Sequence, residues 1–201
     1  MAIVTLPPDR EEQFLGAAIS CFARYGYQRT SMGAIAQAAD ISRPALYQYF
    51  TSKNDIFRAA VDWQLARIAE EAERQSERPG SPDNRLGAVL ALVIGLHRPP
   101  AQPGGPDHNP FHGEMVDETY ARAGDLWDSF ESRMIAALRS VLHRHESELD
   151  FAATAMTPDD VARVLFNGTK GIAAHTPSQR EARRQMARLV GLTVRALSPA
   201  R

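Results

Sequence analysis

Ser42-Arg43-Pro44-Ala45-Leu46-Tyr47-Gln48-Tyr49-Phe50-Thr51-Ser52-Lys53 decides how this chain is read. Ser42 is a good helix N-cap, because its side-chain oxygen can accept from a backbone N–H of the first turn. Pro44 falls in that turn, where a missing N–H removes no helical hydrogen bond. Leu46 and Phe50, four residues apart, share one face and point into a core. Arg43, Ala45, Tyr47 and Tyr49 are left around the other sides. A helix of about seven or eight residues that shows an arginine and two tyrosines outward is shaped to touch something. The pattern predicts the recognition helix of a helix-turn-helix, with Lys53 beside it as a phosphate contact.

The residues upstream fit that reading. Met32, Ile35, Ala36 and Ala39 form the inner face of a preceding helix that Thr30 or Ser31 can cap. Asp40-Ile41 is the turn; Asp40 sits where a left-handed backbone is often required, which Asp tolerates better than most residues. Ile41 is expected to plug the space between the two helices. Further back, Asp9 and Glu12 open a first helix. Phe14, Ala17, Ala18, Cys21, Phe22 and Tyr25 give it one buried face, and Gly26 ends it. Residues 1–8, ending in Pro7-Pro8, read as a flexible arm.

In continuous order, Tyr25-Gly26-Tyr27-Gln28-Arg29-Thr30-Ser31-Met32, Ile35-Ala36-Gln37-Ala38-Ala39, Ser42 to Phe50 and Ser52-Lys53 resemble the N-terminal domain of TetR-family transcriptional regulators. The resemblance covers roughly residues 10–62. Asp40 departs from it, standing where the family usually has glycine. The resemblance implies an all-α homodimer with an N-terminal three-helix helix-turn-helix domain and a C-terminal helical ligand-binding and dimerisation domain. It implies a DNA-binding regulator, most often a repressor, released from a palindromic operator by a small apolar or aromatic effector. It also implies that Tyr47, Tyr49 and Lys53 hold phosphates, while Arg43, Pro44 and Ala45 meet base edges. Chemistry alone makes Arg43 a candidate for bidentate pairing with guanine, and Pro44 or Ala45 for contact with a thymine methyl. Thr30, Ser31 and Ser42 add hydroxyls at helix starts. Rim packing for the two tyrosines and a solvated charge for Arg43 are the plainer alternatives.

Downstream the chain stays helical in pattern. The helix-turn-helix domain is placed at 9–53, with a long fourth helix over 53–78 as connector. That helix is capped by Ser52 and carries Ile56, Phe57, Ala60, Val61, Leu65, Ile68 and Ala72 on its apolar side. Residues 79–201 form the second domain. Helices are expected from Asp83 to His97, Glu114 to Arg122, and 125 to 148 after a reset at Gly124-Asp125. Two more are expected from Thr157 to His175 and from Ser178 to Leu197. Residues 98–113 hold five prolines and three glycines and read as a loop. This makes about nine helices and no convincing strand.

Composition narrows the function classes. Apolar residues make up 44% and charged residues 23%, an ordinary globular mix. With no apolar run of about 18 residues and no signal-like start, no membrane partner is expected and a cytoplasmic location is the default. The single cysteine, Cys21, excludes an intrachain disulfide and reads as a buried inert thiol. A net charge of −1 argues against non-specific coating of nucleic acid, and residues 1–53 carry only five Lys/Arg against four acids. The DNA reading rests on the motif.

The second domain offers candidates of three kinds. Trp127, Phe130 and Met134, with His97, His143 and His145 as polar partners, can line an effector cavity, although core packing explains each as well. Gly168 and Gly171 permit close helix approach at a dimer axis, with Met186, Leu189, Val190, Thr193, Val194 and Leu197 as the apolar stripe. Packing within the monomer is the alternative. Arg180, Arg183, Arg184, Arg188 and Arg195 read as a solvated face. His108 and His112, with His97 and Glu114 nearby, keep a metal-responsive regulator as an alternative, but Asn109-Pro110 between them argues for a loop. No metal or other cofactor is expected, and an enzyme is a distant third because no catalytic constellation is present.

Overall fold

The apolar stripes become helices nearly where the pattern places them. The computed structural model describes residues 8–97 and 112–199, and among these every regular element is helical. In chain order these are α1 (Pro8–Arg29), α2 (Met32–Ala38), α3 (Arg43–Tyr47), α4 (Lys53–Glu77), α5 (Pro82–His97) and α6 (His112–Arg144). A 3-10 turn (Ala152–Thr154) precedes α7 (Pro158–His175) and α8 (Gln179–Ala196). By packing, the chain forms two units. One comprises Met1–Ala66 with Asn109–Asp128, the other Arg67–His108 with Ser129–Arg201, so α4 and α6 each contribute to both.

The first unit is the head. Phe14, Ala18 and Phe22 of α1, Ile35 of α2, Leu46 of α3 and Ile56, Phe57 and Ala60 of α4 are fully buried in its core. Phe57 meets Phe22 edge-on at 5.0 Å between ring centroids and Tyr27 at 4.9 Å. Gly26 breaks α1 with a positive φ of 77°, as a helix-ending glycine should, and one further turn carries the chain to Arg29. Cys21 is buried, its Sγ 3.8 Å from the Ala34 carbonyl oxygen, and burial pushes its thiol pKa up. The thiolate needed for redox chemistry is therefore disfavoured.

The expected break near Gly124 takes another form. The segments expected at 114–122 and 125–148 are one helix, α6, with a kink confined to Ala123 (φ −144°, ψ 31°). Arg58 of α4 explains how the chain continues across it. Its guanidinium donates to the Arg122 carbonyl at the kink and pairs with Asp125 just beyond, at 2.8 Å and 3.0 Å. This ion pair holds the Asp125 carboxyl below the usual carboxylate range, the Arg58 hydrogen bond being the main cause. The helix also ends at Arg144 rather than 148, and residues 145–148 form turns.

In the second unit α5 packs against both α7 and α8, which also pack against each other. Leu86, Val89, Leu90, Val93 and Ile94 of α5 have no exposed surface. The start of α7 is fixed by a reciprocal capping box: Asp160 N–H donates to the Thr157 hydroxyl, and Thr157 N–H donates to the Asp160 carboxylate at 2.9 Å. Ser178 caps α8 by accepting from Glu181 N–H. No helix among the described residues is long and apolar enough to cross a membrane.

The aromatic cluster predicts the head's weakest point to mutation. Phe57→Ala removes a ring shared by α1 and α4 and should cost about 3–5 kcal/mol in chemical denaturation. A loss under about 1 kcal/mol would show that the cluster can collapse around the void.

Candidate nucleic-acid interface

Short helices need their ends fixed, and α2 and α3 have theirs fixed by serines. Ser31 accepts from Ala34 N–H at 3.1 Å, and Ser42 accepts from Ala45 N–H at 3.3 Å. Between them Asp40 takes the expected left-handed conformation (φ 53°). Its N–H donates to the Gln37 carbonyl and the Ile41 N–H to the Ala36 carbonyl. Pro44 lies in the first turn of α3. Leu46, fully buried, and the nearly buried Phe50 anchor this segment, as their spacing requires. Ser42, Arg43, Pro44, Tyr47 and Gln48 are then exposed, with Ala45 half-buried among them.

The exposed side chains are partly pre-arranged. The Arg43 guanidinium lies 5.5 Å from the Tyr47 ring centroid and donates to the Tyr47 hydroxyl at 3.3 Å. Tyr49 is half-buried, its ring tilted against Phe14 at 5.3 Å, so rim packing accounts for part of it. Gly33, Ala36 and Gln37 of α2, together with Asp40, Ile41, Ser42 and Arg43, line an open groove of ≈ 520 Å³ beside α3.

Two of the expected contact residues have work inside the fold. Thr30 is only 2% exposed, and its hydroxyl donates to the carbonyls of Gly26 at 2.7 Å and Cys21 at 3.2 Å. It fastens α2 to the end of α1 and presents no hydroxyl outward, so Ser31 alone remains as the exposed hydroxyl there. Lys53 donates to the carbonyls of Tyr27 at 2.9 Å and Gln28 at 3.3 Å, and its ammonium sits 4.4 Å from the Tyr27 ring centroid. An ammonium has three donors, so one N–H remains for a phosphate. Beside them Arg29 pairs with Glu114 of α6 at 3.3 Å, and the Glu114 carboxylate also accepts from Gln28 N–H. Neither contact was foreseen from the sequence, because the two partners lie more than eighty residues apart.

The remaining candidates divide. Trp127 is buried in the first unit, 5.3 Å from Tyr120 between ring centroids. Phe130 and Met134 are buried in the second. His143 is exposed and paired with Glu146 at 2.9 Å, so it is a surface residue and not a cavity contact. His145 is buried with its two ring nitrogens on the carbonyls of Val141 and Gly80, a structural tie. His97 is half-buried. His108 and most of the 98–113 loop lie outside the described residues, as does the side chain of His112. Among described residues no three His, Cys, Asp or Glu side chains group as a metal site.

On α7 and α8 the structure corrects the expected stripe. Met186 and Val190 are buried within the protomer, and a Cβ on Gly168 would meet Leu189 of the same chain at 2.8 Å. Gly168 thus faces Leu189 where α7 packs on α8, and Met186 and Val190 are covered within the protomer. Gly171 is open, Leu189 and Val194 are half-buried, and the large apolar residues left on the surface are Val164 (51% exposed) and Leu192 (62%).

Comparison with known proteins bears on the head first. Residues 14–60 match the model of the bacterial regulatory proteins, tetR family. The transcriptional regulator AcrR of Shigella flexneri is 33% identical over 87 residues, 43% of this chain and 40% of that protein. The transcriptional repressor KstR of Mycobacterium tuberculosis is 30% identical over 85 residues, 42% of this chain and 39% of that one. The match thus spans about two fifths of each regulator's length. In fold the likeness extends over nearly the whole chain. A TetR-family regulator from Mesorhizobium loti aligns over 95% of this chain and 98% of its own, with TM-score 0.69 at 18% identity. SmeT, repressor of the Stenotrophomonas maltophilia multidrug efflux pump SmeDEF, aligns over 94% and 90% with TM-score 0.65 at 21% identity.

The contacts of Lys53 predict a stability cost independent of any ligand. Lys53→Ala should lower the head's stability by about 1–2 kcal/mol, since charge-assisted bonds to two carbonyls are lost at a half-exposed site. Superimposable denaturation curves would show that these bonds carry no weight.

Proposed function

We infer, from a chain whose residues 14–60 make it a member of the TetR family of bacterial regulatory proteins, that it is a repressor that binds a palindromic operator as a homodimer. The observation that carries this is α3: a serine-capped helix anchored by Leu46 and Phe50 that turns Arg43, Pro44 and Tyr47 to solvent. Arg43 pairs with a guanine edge in the major groove, and Pro44 or Ala45 touches a thymine methyl. Ser31, Ser42, Tyr47, Tyr49 and the third N–H of Lys53 hold phosphates. AcrR is named a transcriptional regulator and KstR a transcriptional repressor, which favours DNA binding over catalysis.

One head reads few base pairs, so two-fold pairing is needed to cover two half-sites. Val164 and Leu192, exposed on the adjoining helices α7 and α8, supply the apolar contact for a second copy, with the bare surface at Gly171 beside them. A small apolar or aromatic effector acts by binding one state of this dimer better than the other. The apolar second unit, linked to the head through the continuous helices α4 and α6, supports that route.

Selection from a pool of randomised duplex DNA tests the reading. The wild-type protein should enrich an inverted repeat, and Arg43→Ala should lose about 1–3 kcal/mol of discrimination at one base pair per half-site. No enrichment by the wild type, with or without added metal ions, would overturn the DNA reading.

The dimer has its own test. Leu192→Glu places a charge on the proposed contact and should shift the protein from dimer to monomer in analytical ultracentrifugation. A variant that sediments as the wild type does would remove this surface from the interface.

A further inference from the structure

The groove between α2 and α3 is lined by groups that suit a base edge better than a phosphate. A phosphate offers acceptors only, so a seat for it calls for donors. Here Arg43, a donor, shares the groove with the Asp40 carboxylate, an acceptor, and with Gln37, whose carboxamide is both. The Ser42 hydroxyl accepts from Ala45 N–H, which leaves its own O–H as one further donor at the rim of the groove. A carboxylate held in the groove repels a phosphate, whereas base edges in the major groove present donors and acceptors together. The backbone of Asp40 is fixed at the edge of the groove by its left-handed φ and by the bonds of its own N–H and that of Ile41.

The α2 wall of the groove is cut low where this matters. Gly33 lies one turn before Gln37 on the same face. A Cβ there would meet only the Ser31 hydroxyl oxygen, at 3.8 Å. The side chain of Gln37 is exposed and bonds to nothing among the described residues.

We propose that Gln37 is a second base-reading side chain in each half-site, pairing through its carboxamide with the N6 and N7 edge of an adenine that enters the groove past Gly33. Asp40, which lines the same groove, disfavours a phosphate beside Gln37 and favours a cytosine amino group at the neighbouring position. This rests on the DNA-binding reading and extends sequence recognition from α3 to α2.

The test is duplex selection with the wild type, Gln37→Ala, Gln37→Glu, Gly33→Leu and Arg43→Ala, each checked for unchanged helix content by circular dichroism. Gln37→Ala should lose about 5- to 100-fold of discrimination at one adenine per half-site, a position distinct from the one that Arg43→Ala relaxes. Gln37→Glu should move that preference toward cytosine, a gain that misfolding cannot imitate. Gly33→Leu, which fills the groove while leaving Gln37 in place, should relax the same position. If the wild type enriches an inverted repeat and Gln37→Ala enriches the same one unaltered, the proposal is overturned while the DNA reading stands. If Gln37→Ala relaxes only the Arg43 position, Gln37 merely positions Arg43 and the proposal is likewise overturned. A wild type that enriches nothing removes both.

Discussion

Tyr27 is the residue on which the head is assembled. It follows directly on the break at Gly26, and two cations approach its ring, the Lys53 ammonium at 4.4 Å and the Arg122 guanidinium at 4.2 Å from its centroid. Phe22 stacks beside it at 5.6 Å, and Phe57 meets it edge-on. Four sources thus converge on one ring: the body of α1, the first residue of α4, the next turn of α4 and the residue of α6 just before its kink. Burial is the main reason its phenol pKa is raised. A cation over an aromatic face contributes about 0.5–2 kcal/mol, more where water is excluded. The carbonyls freed where α1 breaks, those of Tyr27 and Gln28, are the ones that Lys53 takes up.

This arrangement explains why the head's charge is a poor guide to its binding. Arg29 is paired with Glu114, Lys53 with two carbonyls and the Tyr27 ring, and Arg43 with Tyr47. Glu114 sits so close to Gly26 that a Cβ there would fall 2.5 Å from its carboxylate oxygen, which joins the glycine's positive φ in excluding other residues. Of these three cations only Arg29 faces an acid; Lys53 and Arg43 keep their charge beside neutral partners, so where the charge sits matters more than its sum.

The local features of the head were legible in the sequence because each is a short-range rule. Ser31 and Ser42 as caps, Asp40 as the left-handed turn residue, Gly26 as the end of a helix, and Leu46 and Phe50 as anchors depend on neighbours within about five residues. What was not legible depends on partners far along the chain. Thr30 looks like an outward cap until α1 closes over it. The joining of α6 to the head through Gln28, Arg29 and Arg58 pairs residues 64 to 90 positions apart. Gly124 correctly signals a disturbance, but only the remote Arg58 shows why the helix runs on past Ala123. On α7 and α8 an apolar stripe states that a face is covered without stating by what. Met186 and Val190 turned out to be covered by their own chain.

The same limit bears on Arg43. In the free protein its guanidinium rests on Tyr47, four residues on, at an exposed site. An exposed pair of this kind is worth little, so releasing it to reach a base costs little. A donor released at low cost gains most from a partner that satisfies it in two places, and a guanine edge does so where other bases do not. A phosphate can satisfy it too, and would draw it away from the bases if one entered the groove. Asp40 lines that groove with a fixed backbone, and in the proposed complex the charge that makes the turn unusual also disfavours a phosphate there. In the proposed DNA complex, the acid that stands for the expected glycine thus does more than preserve the turn: it leaves base edges as the better partners for Arg43.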